Sequence, residues 1–351
     1  MAPEKRSSEK RTTIYDIAAK LNISTATVNR ALTGKPRVKE ETRRLVIQTA
    51  AEMGFKPNTL ARSLGRRRLR FAVVGFTSFP EFHNPFLEGA LFAGEELADF
   101  NIQVDCYPYD LGASDTPQAI RFLEDTLREI ADGDYDGALV LGRPTSAFEY
   151  LKSKEICVAT AVTDVGETIR RFHVCVRGQI SGRIAAELIW RMLPDRGRPV
   201  AIASGFEGLT VHEDTITGFR EQTGRMPLNL CRVCYNCDNE SRAYDNTMRL
   251  LRDYPGLGAI YVNSFNCRGV IEAVRESGCL GQVLLITSDI SGDIKRMIRE
   301  GAIAATIFQN QYEQGRIGMH RLYSVLADGA DIRGVLPMDP QIVMNSNLEL
   351  F

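Results

Sequence analysis

The sequence lacks the marks of several large classes of protein. Its 351 residues include one tryptophan and four histidines, and no histidine belongs to a recognisable catalytic set. No apolar run approaches the ~20 residues that a membrane-spanning helix needs. The N-terminal stretch is charged and has no hydrophobic core, so we expect no secretory signal and predict a cytoplasmic protein.

Nucleotide-binding motifs are missing as well. No G-x-G-x-x-G follows the first predicted strand and the chain has no P-loop, so the sequence does not indicate a nucleotide cofactor. It also shows no paired acids and no activated nucleophile. We therefore predict that the protein is not an enzyme and needs no cofactor.

The eight cysteines have no spacing typical of a disulfide framework, and we expect reduced thiols. Cys231, Cys234 and Cys237 form a CxxCxxC run, which would fit a metal-responsive regulator as an alternative. The segment, however, has the pattern of a β-strand, in which a spacing of three residues places successive side chains on opposite faces. We therefore predict no metal site.

What the sequence does contain is a strong asymmetry of charge. Residues 1–70 hold 17 lysines and arginines against 6 acidic residues, and the remainder holds 26 against 38. The net charges of the two parts are therefore +11 and −12. A basic head on an acidic body indicates a polyanionic partner for the head alone. Residues 1–11 are expected to form a disordered basic arm.

Three short helical patterns follow the arm. Thr13 and Ser24 are suited to cap the first two helices. The third helix is expected from Glu40 to Met53, and its predicted buried residues are Leu45, Val46, Thr49 and Ala50. Two short helices joined by a tight turn form a helix-turn-helix, whose second helix contacts base edges in a major groove.

The blocks IYDIAAKLNISTATVNRAL, RVKEETRRLVIQTAAEMGFKPN and LARSL resemble the head of the LacI-type (lactose-repressor) transcription regulators. The resemblance implies an all-α DNA-binding domain over 12–57 and a hinge helix with a linker over 58–68. It places base-reading side chains at Thr25, Ala26 and Arg30, of which the arginine can pair bidentately with guanine. The residues expected to contact phosphates are Tyr15, Ser24, Thr27 and Asn29.

The segment from Asn58 to Leu64 matches the hinge helix of that family. The resemblance implies that this helix folds on DNA beside its copy from a second subunit. Ala61 and Arg62 would then line the minor groove, and Leu64 would insert between base pairs and kink the duplex. So short a helix is not stable alone in water, so it can act as a switch.

From Leu69 onward, short apolar strands alternate with longer helical segments. The first set of predicted strands covers 70–76, 102–109, 136–142, 156–162 and 172–176, and a second set of similar length follows. Continuously apolar strands separated by helices indicate parallel sheets that are covered on both faces. Two such sets predict an α/β domain with two similar lobes.

Motifs such as NPFLEGALFAGEELADF, YDGALVLG and ATIFQNQYEQGRIGMHRLYSVL resemble the sugar-binding half of the same family and its periplasmic-binding-protein relatives. This part of the resemblance implies an effector-binding and dimerisation domain over 69–351. Lobe 1 is expected at about 70–177 plus 309–334, and lobe 2 at about 178–308 plus 335–351. Three chain crossings would join the lobes.

The resemblance also implies a small polar ligand in the cleft between the lobes, at the carboxyl ends of the strands. Asp289 matches a carboxylate that accepts hydrogen bonds from paired hydroxyls, and Phe86 matches a ring that covers a sugar. The other expected ligand-binding residues are Asn84, Arg177, His212, Asn263, Ser264 and Gln309. Polar groups at strand and helix ends also have an alternative role, because they often only satisfy loop backbone.

Two positions depart from the family pattern. Thr215 stands where many relatives have an arginine, and Arg177 stands where many have an aspartate. An arginine in the cleft would favour an acidic effector, such as a sugar acid or a phosphate ester. The alternative is that Arg177 lies on the surface and has no such role.

Together these features predict a sequence-specific DNA-binding transcription regulator, a repressor of sugar or polyol metabolism genes. One head contacts only a few base pairs, so a homodimer on an inverted-repeat operator is expected. The predicted switch is a small sugar, polyol or sugar acid. A solute-binding protein for transport is the alternative, although the basic head argues against it.

Overall fold

The computed structural model of the protein describes residues 12–32, 36–55, 67–109 and 117–351, except for the side chains of 117–119. The chain divides into two units, one up to Arg66 and one from Arg67 to Phe351. The predicted arm 1–11 lies outside the described residues. So do the predicted hinge-helix residues Asn58, Ala61, Arg62 and Leu64, and their roles remain predictions.

The first unit contains three helices, α1 (Ile14–Leu21), α2 (Thr25–Leu32) and α3 (Glu40–Glu52). Both predicted N-caps are confirmed. Thr13 Oγ1 accepts a hydrogen bond from the Asp16 amide at 3.4 Å, and Asp16 Oδ2 accepts one from the Thr13 amide at 2.7 Å. Ser24 Oγ accepts a hydrogen bond from the Thr27 amide at 3.1 Å. These reciprocal bonds satisfy amides that a helix start leaves without partners.

The core of the first unit is small and apolar. It is formed by Ile17, Ala18, Val28, Ala31, Val46 and Ala50. The predicted burial of Leu45 is wrong, since its side chain is 53% exposed. Val46, Thr49 and Ala50 share one helix face by their spacing of three to four residues, and Leu45 lies one position off that face.

The second unit contains two six-stranded sheets, each with helices on both faces. The first sheet, which defines lobe 1, has the strand order β11-β5-β4-β3-β1-β2. Its strands are β1 (Leu69–Phe76), β2 (Ile102–Tyr109), β3 (Gly137–Val140), β4 (Cys157–Ala161), β5 (Phe172–Val176) and β11 (Gly334–Met338), and all pairings are parallel. The helices of this lobe are α4 (Pro80–Glu96), α5 (Pro117–Asp132), α6 (Ala147–Ser153) and α12 (Gln311–Asp328).

The second sheet defines lobe 2 and has the order β12-β10-β9-β8-β6-β7. Its strands are β6 (Pro199–Ser204), β7 (Asn229–Tyr235), β8 (Ala259–Val262), β9 (Leu284–Ser288), β10 (Ala305–Phe308) and β12 (Gln341–Val343). Only β12 runs antiparallel to its neighbour. The helices are α7 (Gly178–Met192), α8 (Thr210–Thr223), α9 (Glu240–Asp253), α10 (Arg268–Glu276) and α11 (Gly292–Arg299).

The chain passes between the lobes three times, after β5, after β10 and after β11. The predicted end of lobe 1 at residue 334 is wrong, because β11 pairs with β5 in the lobe 1 sheet from Gly334 to Met338. The segment gives a weak strand signal, since side chains such as Val335, 47% exposed, face solvent. Within the described ranges, no helix is long and apolar enough to cross a membrane.

Two helices were not foreseen in full from the sequence. Helix α4 begins at Pro80, so Pro85 of the motif NPFLEGALFAGEELADF lies inside it. A backbone N–H in the first helical turn has no partner within the helix, so proline, which lacks this N–H, is suited to that turn. Pro80 occupies this position. The short helix α6 was not predicted.

Paired glycines bring two helices into close contact in each lobe. In lobe 2, a Cβ added to Gly182 of α7 would overlap the Thr215 carbonyl of α8, and one added to Gly218 would overlap the Gln179 carbonyl. Gly89 and Gly315 stand in the same relation where α4 meets α12 in lobe 1. Because the obstacle is backbone, a side chain at these positions would push the helices apart.

We expect Gly218→Ala to lower the free energy of unfolding by about 1–3 kcal/mol, the usual cost of overpacking. Trp190 is the only tryptophan and lies in α7, so its fluorescence in a urea titration reports on this helix pair. Gly256→Ala is the control, because nothing lies within 4 Å of a Cβ added there. Equal unfolding midpoints for the two variants would contradict the close-packing argument.

Candidate functional site

Helix α2 exposes most of the side chains that were predicted to contact DNA bases. Val28 and Ala31 are buried against α1 and α3, whereas Ala26 and Arg30 are exposed and Thr25 is half-buried. The outward face therefore carries a guanidinium group and small side chains, as base recognition in a major groove requires. Base contact by these residues remains a prediction.

Of the residues predicted to contact phosphates, Tyr15, Ser24 and Thr27 lie near the starts of α1 and α2, and Asn29 lies in the middle of α2. Tyr15 is 71% exposed, and Asn29 is exposed as well. Ser24 Oγ and Thr27 Oγ1 are 2.8 Å apart, so these hydroxyls hydrogen-bond each other at the helix cap. A hydroxyl can accept and donate at once, so this bond is compatible with a phosphate contact.

In the second unit, a cavity lies between the lobes at the carboxyl ends of their strands. Lobe 1 contributes Phe76, Ser78, Phe79, Phe82, His83, Leu141, Arg143, Val162 and Thr163. Lobe 2 and the crossing after β10 contribute Phe206, Leu209, Val211, His212, Cys237, Asp238, Asn263, Ser264, Phe265, Asn266, Asp289 and Gln309. The cavity thus combines five phenylalanine rings with two carboxylates, one guanidinium group and several amides.

Asp289 follows β9, and its carboxylate accepts three hydrogen bonds. Oδ1 accepts from the Gln309 amide at 3.2 Å and from Gln311 Nε2 at 2.8 Å, and Oδ2 accepts from Gln309 Nε2 at 2.8 Å. Burial raises the pKa of the Asp289 carboxyl to about 6, although these hydrogen bonds act in the lowering direction. The site therefore holds a buried carboxylate that ionises only with the help of donors.

Four cavity residues hold the left-handed backbone conformation without being glycine, namely Val162, Cys237, Asp238 and Asp289. Asp289 has φ +65° and the β-branched Val162 has φ +63°. They occupy matching places, because β4 and β9 have the same position in the strand order of their sheets. Such conformations cost of order 1–3 kcal/mol and persist where surrounding contacts enforce them.

Asn263 directly follows β8, and its side chain lies against helix α8. Its Nδ2 donates to Thr215 Oγ1 at 2.6 Å and to the His212 carbonyl at 3.2 Å. Its Oδ1 is buried and accepts no hydrogen bond from any described residue. A buried acceptor without a partner costs about 1–3 kcal/mol, so this oxygen is suited to accept a hydrogen bond from a water molecule or a ligand. The hydrogen bond to Thr215 holds the Asn263 side-chain amide in this orientation.

The two histidines of the cavity are buried and uncharged. Nδ1 of His212 accepts a hydrogen bond from the Phe206 amide at 2.9 Å, and Nδ1 of His83 accepts one from the Phe79 amide at 3.3 Å. We assign the proton to Nε2 in both rings, because in His212 the contact of Nδ1 with the Phe206 amide is shorter than its 3.3 Å contact with the Phe206 carbonyl. Burial lowers the pKa of both imidazoles, that of His83 to about 3. Each ring offers one N–H donor and no charge.

Aromatic and cationic groups meet across the opening of the cavity. The Phe265 ring of lobe 2 lies 5.4 Å from Phe82 and 6.2 Å from Phe79 of lobe 1, measured between ring centroids. The Arg143 guanidinium of lobe 1 lies 4.1 Å above the Phe206 ring of lobe 2. These side chains connect the lobes in the described arrangement.

Five of the predicted ligand-binding residues line this cavity, namely His212, Asn263, Ser264, Asp289 and Gln309. Ligand binding by them remains a prediction. The other three predictions need correction. Phe86 is fully buried in the core of lobe 1, Asn84 lies outside the cavity lining, and the Arg177 side chain is 52% exposed and pairs with Asp339 at 3.1 Å.

Two aromatic residues that were not predicted, Phe79 and Phe82, take the place expected for Phe86. Phe79 precedes helix α4 and Phe82 lies in its first turn, because the helix begins earlier than the pattern indicates. The motif NPF therefore points into lobe 1. The only signal in the sequence was the cluster of phenylalanines between residues 76 and 82.

The cysteine run does not form a metal site among the described residues. No group of three or more histidine, cysteine or acidic side chains there could hold a metal ion. Cys231 and Cys234 lie in β7, Cys231 packs against the apolar core of lobe 2, and Cys237 follows the strand and lines the cavity. Arg242 Nη1 donates to Cys237 Sγ at 2.9 Å.

Two family models match the chain. Residues 13–58 match the model of bacterial regulatory proteins of the lacI family, and residues 72–331 match a periplasmic binding protein domain. Catabolite control protein A of Staphylococcus epidermidis is 23% identical over 319 residues, which cover 90% of this chain and 93% of that protein. The ribose operon repressor of Halalkalibacterium halodurans is 26% identical over 256 residues, 72% of each chain.

Solved structures of sugar-binding proteins share the fold of the second unit. A solute binding protein of Burkholderia graminis in complex with D-arabinose has a TM-score of 0.71 at 16% identity and covers 81% of this chain and 98% of its own. A glucose-galactose binding protein of Geobacillus stearothermophilus has a TM-score of 0.67 at 19% identity, with coverages of 81% and 99%. At these identities the similarity concerns the fold alone.

The raised pKa of Asp289 makes stability depend on pH. Protonated Asp289 is favoured in the folded chain, so its contribution is full below pH 3.8 and is lost as the pH rises through about 6. Between these values the difference in unfolding free energy between wild type and Asp289→Asn should fall by about 3 kcal/mol, since one pKa unit equals about 1.4 kcal/mol. Urea titrations at several pH values measure it.

Gln311→Ala provides a matched test of the same titration. It removes one donor to the carboxylate, so the pKa in the folded chain should rise further and the pH window should extend to higher pH, while its lower end stays at pH 3.8. A difference between wild type and Asp289→Asn that stays constant from pH 4 to pH 7 would contradict the assignment.

Proposed function

Because the chain belongs to the lacI family of bacterial regulatory proteins and carries a periplasmic binding protein domain, we propose that it represses transcription as a homodimer on an inverted-repeat operator. The proposal includes a small, uncharged, sugar-like effector that binds between the lobes and changes the affinity for DNA. It places the protein in the cytoplasm, where its operator is accessible. The genes it would control are those of sugar or polyol metabolism.

The observation that carries the proposal is the joint presence of a DNA-binding head and a cavity with hydroxyl-binding groups on one chain. The head supports sequence recognition through the exposed face of α2, and its positive charge supports attraction to phosphate. A single α2 helix spans only a few base pairs, which supports a symmetric dimer on two half-sites. In this proposal the hinge residues, from Asn58 to Leu64, connect the two functions.

The polar groups of the cavity support a neutral polyhydroxylated effector. Asp289 and the open Oδ1 of Asn263 are acceptors for hydroxyl donors, and the neutral His83 and His212 rings can donate. The exposed Arg177 no longer favours an acidic effector. Arg143 supplies the cation of the cavity lining and is outnumbered by Asp238 and Asp289, which disfavours an anion as well.

The alternatives receive less support. The solved transport proteins share the fold of the second unit, but the lacI-type match over residues 13–58 supports a regulator. A metal-responsive switch at Cys231, Cys234 and Cys237 would need three thiolates on one ion, whereas Cys231 packs in the core and Cys237 lines the cavity. The relatives in the sequence comparison are regulators, which argues against an enzyme.

We expect Arg30→Ala to relax sequence preference at one base pair in each half-site, at a cost of about 1–3 kcal/mol for the preferred base. Selection from a randomised DNA library, followed by binding titrations at fixed salt, measures this change. Arg44→Ala on the exposed surface of α3 is the control and should leave the selected sequence unchanged. An unaltered consensus for Arg30→Ala would refute its role as a base-reading residue.

We expect neutral sugars or polyols, rather than sugar acids or sugar phosphates, to raise the melting temperature in a thermal-shift screen. A ligand at a hundredfold excess over Kd stabilises the fold by about 2.7 kcal/mol. Asn263→Ala should lose most of this stabilisation, and Asn345→Ala, which alters an exposed residue of the C-terminal turn, should keep it. Stabilisation by anionic compounds alone would contradict the neutral effector.

A further inference from the structure

The start of helix α4 reaches from lobe 1 across to lobe 2. Glu81 Oε1 accepts a hydrogen bond of 2.7 Å from the Gly292 amide at the start of α11. The next residue, Phe82, contacts Phe265 of lobe 2 with 5.4 Å between ring centroids, and Phe79 contacts the same ring at 6.2 Å. Three side chains of one short segment therefore contact the opposite lobe.

The start of α11 is capped by side chains from both lobes. Ser291 of lobe 2 is the N-cap, and its Oγ accepts a hydrogen bond from the Ile294 amide at 3.1 Å. Gly292 is the first residue of the helix, so its amide has no acceptor within α11. Glu81 of lobe 1 supplies that acceptor, and its negative charge suits the positive end of the helix dipole.

The hydrogen bond joins two helices that are each fixed in their own lobe. Helix α11 buries Ile294, Met297 and Ile298 in the core of lobe 2. Helix α4 buries Phe86 in the core of lobe 1 and packs closely on α12 at Gly89. Neither helix can follow the other when the lobes separate, so separation breaks the bond, and loss of the bond makes separation easier.

We propose that Glu81 is a latch between the lobes, whose carboxylate holds the described arrangement by capping α11. Glu81 and Gly292 are both exposed, so the latch lies at the surface and is separate from the buried polar groups of the cavity. The inference goes beyond the proposed function, because it concerns the balance between lobe arrangements. A ligand or DNA shifts that balance only by binding one arrangement better, so the latch sets how much binding energy a shift requires.

The thiol of Cys237 can report on the opening of the lobes, because this residue lines the cavity between them. The full-length protein is treated with N-ethylmaleimide, and the alkylation rate of each cysteine is measured by mass spectrometry of its peptide. Cys106 of lobe 1 and Cys279 of lobe 2 do not line the cavity and serve as internal controls. A rise in rate at Cys237 alone therefore measures opening of the lobes.

Glu81→Ala removes the acceptor of the latch. It should raise the alkylation rate of Cys237 about twofold to fivefold, which corresponds to the usual contribution of an exposed carboxylate at a helix N-terminus. Glu88→Ala is the matched control, because it removes the same charge from an exposed position two turns further along α4. It should leave the rate unchanged.

Two changes at Gly292 test the donor. Gly292→Pro removes the amide hydrogen, and the site accepts proline because Ser291 before it is extended, with φ −136° and ψ 169°. Gly292→Ala keeps the amide, and its Cβ would lie 3.4 Å from Glu81 Oε1, an ordinary contact distance. The alkylation rate of Cys237 should rise for Gly292→Pro and equal that of wild type for Gly292→Ala.

The double variant Glu81→Ala/Gly292→Pro should react no faster than the faster single variant, since both changes remove one hydrogen bond. Equal rates at Cys237 in wild type and Glu81→Ala would overturn the latch. Additive increases in the double variant would overturn the pairing of Glu81 with Gly292. Similar increases at Cys106 and Cys279 would show that the whole fold loosens, which would also overturn the latch.

Discussion

The buried carboxylate of Asp289 is the interaction on which the two-lobed unit depends most. Its ionisation is disfavoured by burial and supported only by donors from Gln309 and Gln311. These glutamines stand where the chain leaves β10 of lobe 2 and begins α12, which packs on lobe 1. Gln314 continues the network, since it donates to the Gln309 carbonyl and accepts from the Val162 amide of lobe 1. The acid is thus satisfied by the segment that joins the lobes.

The two lobes share two structural features, a left-handed residue after an equivalent strand and a helix pair packed through glycines. Each places a left-handed residue after its equivalent strand, Val162 in lobe 1 and Asp289 in lobe 2. Each also packs two helices through glycines, which lets backbones approach where any side chain would intervene. In lobe 2 this contact fixes α8, and through Thr215 and the His212 carbonyl it fixes Asn263. The orientation of one cavity amide therefore depends on this helix contact.

The sequence alone predicts the features that depend on hydrophobic periodicity or on the chemistry of neighbouring residues. The capping residues Thr13 and Ser24, the alternation of apolar strands and helices, and the strand-end position of Asp289 all obey local chemistry, and the family resemblance supplied the rest of the architecture. The wrong predictions concern side chains whose direction depends on the residue at which a helix begins. Helix α4 starts five residues before Pro85, so Phe86 turns into the core and Phe79 and Phe82 line the cavity.

The prediction that Arg177 lies in the ligand cavity was wrong for a related reason. It is the residue before α7, its backbone amide bonds to the Met338 carbonyl of β11, and its side chain extends to Asp339 in the last crossing between the lobes. A pattern around residue 177 cannot reveal that β11 joins the lobe 1 sheet, because that pairing links positions more than 150 residues apart. Whether the Arg177 side chain faces a ligand or solvent therefore depends on the long-range pairing of β11 with β5.

A ligand in the proposed mechanism can change DNA affinity only if it binds one lobe arrangement better than another. Hydroxyl groups at Asp289 would compete with the Gln309 and Gln311 amides for the same oxygens, so they would alter bonds that span the crossing. The Phe82–Phe265 and Arg143–Phe206 contacts, and the 2.7 Å bond from the Gly292 amide to Glu81, also span the lobes. Each of these contacts belongs to the described arrangement of the two lobes. The second unit begins in lobe 1, where the Arg70 amide donates a hydrogen bond to Asp136, so in the proposed mechanism these inter-lobe contacts and the three chain crossings are the links through which lobe 2 acts on lobe 1.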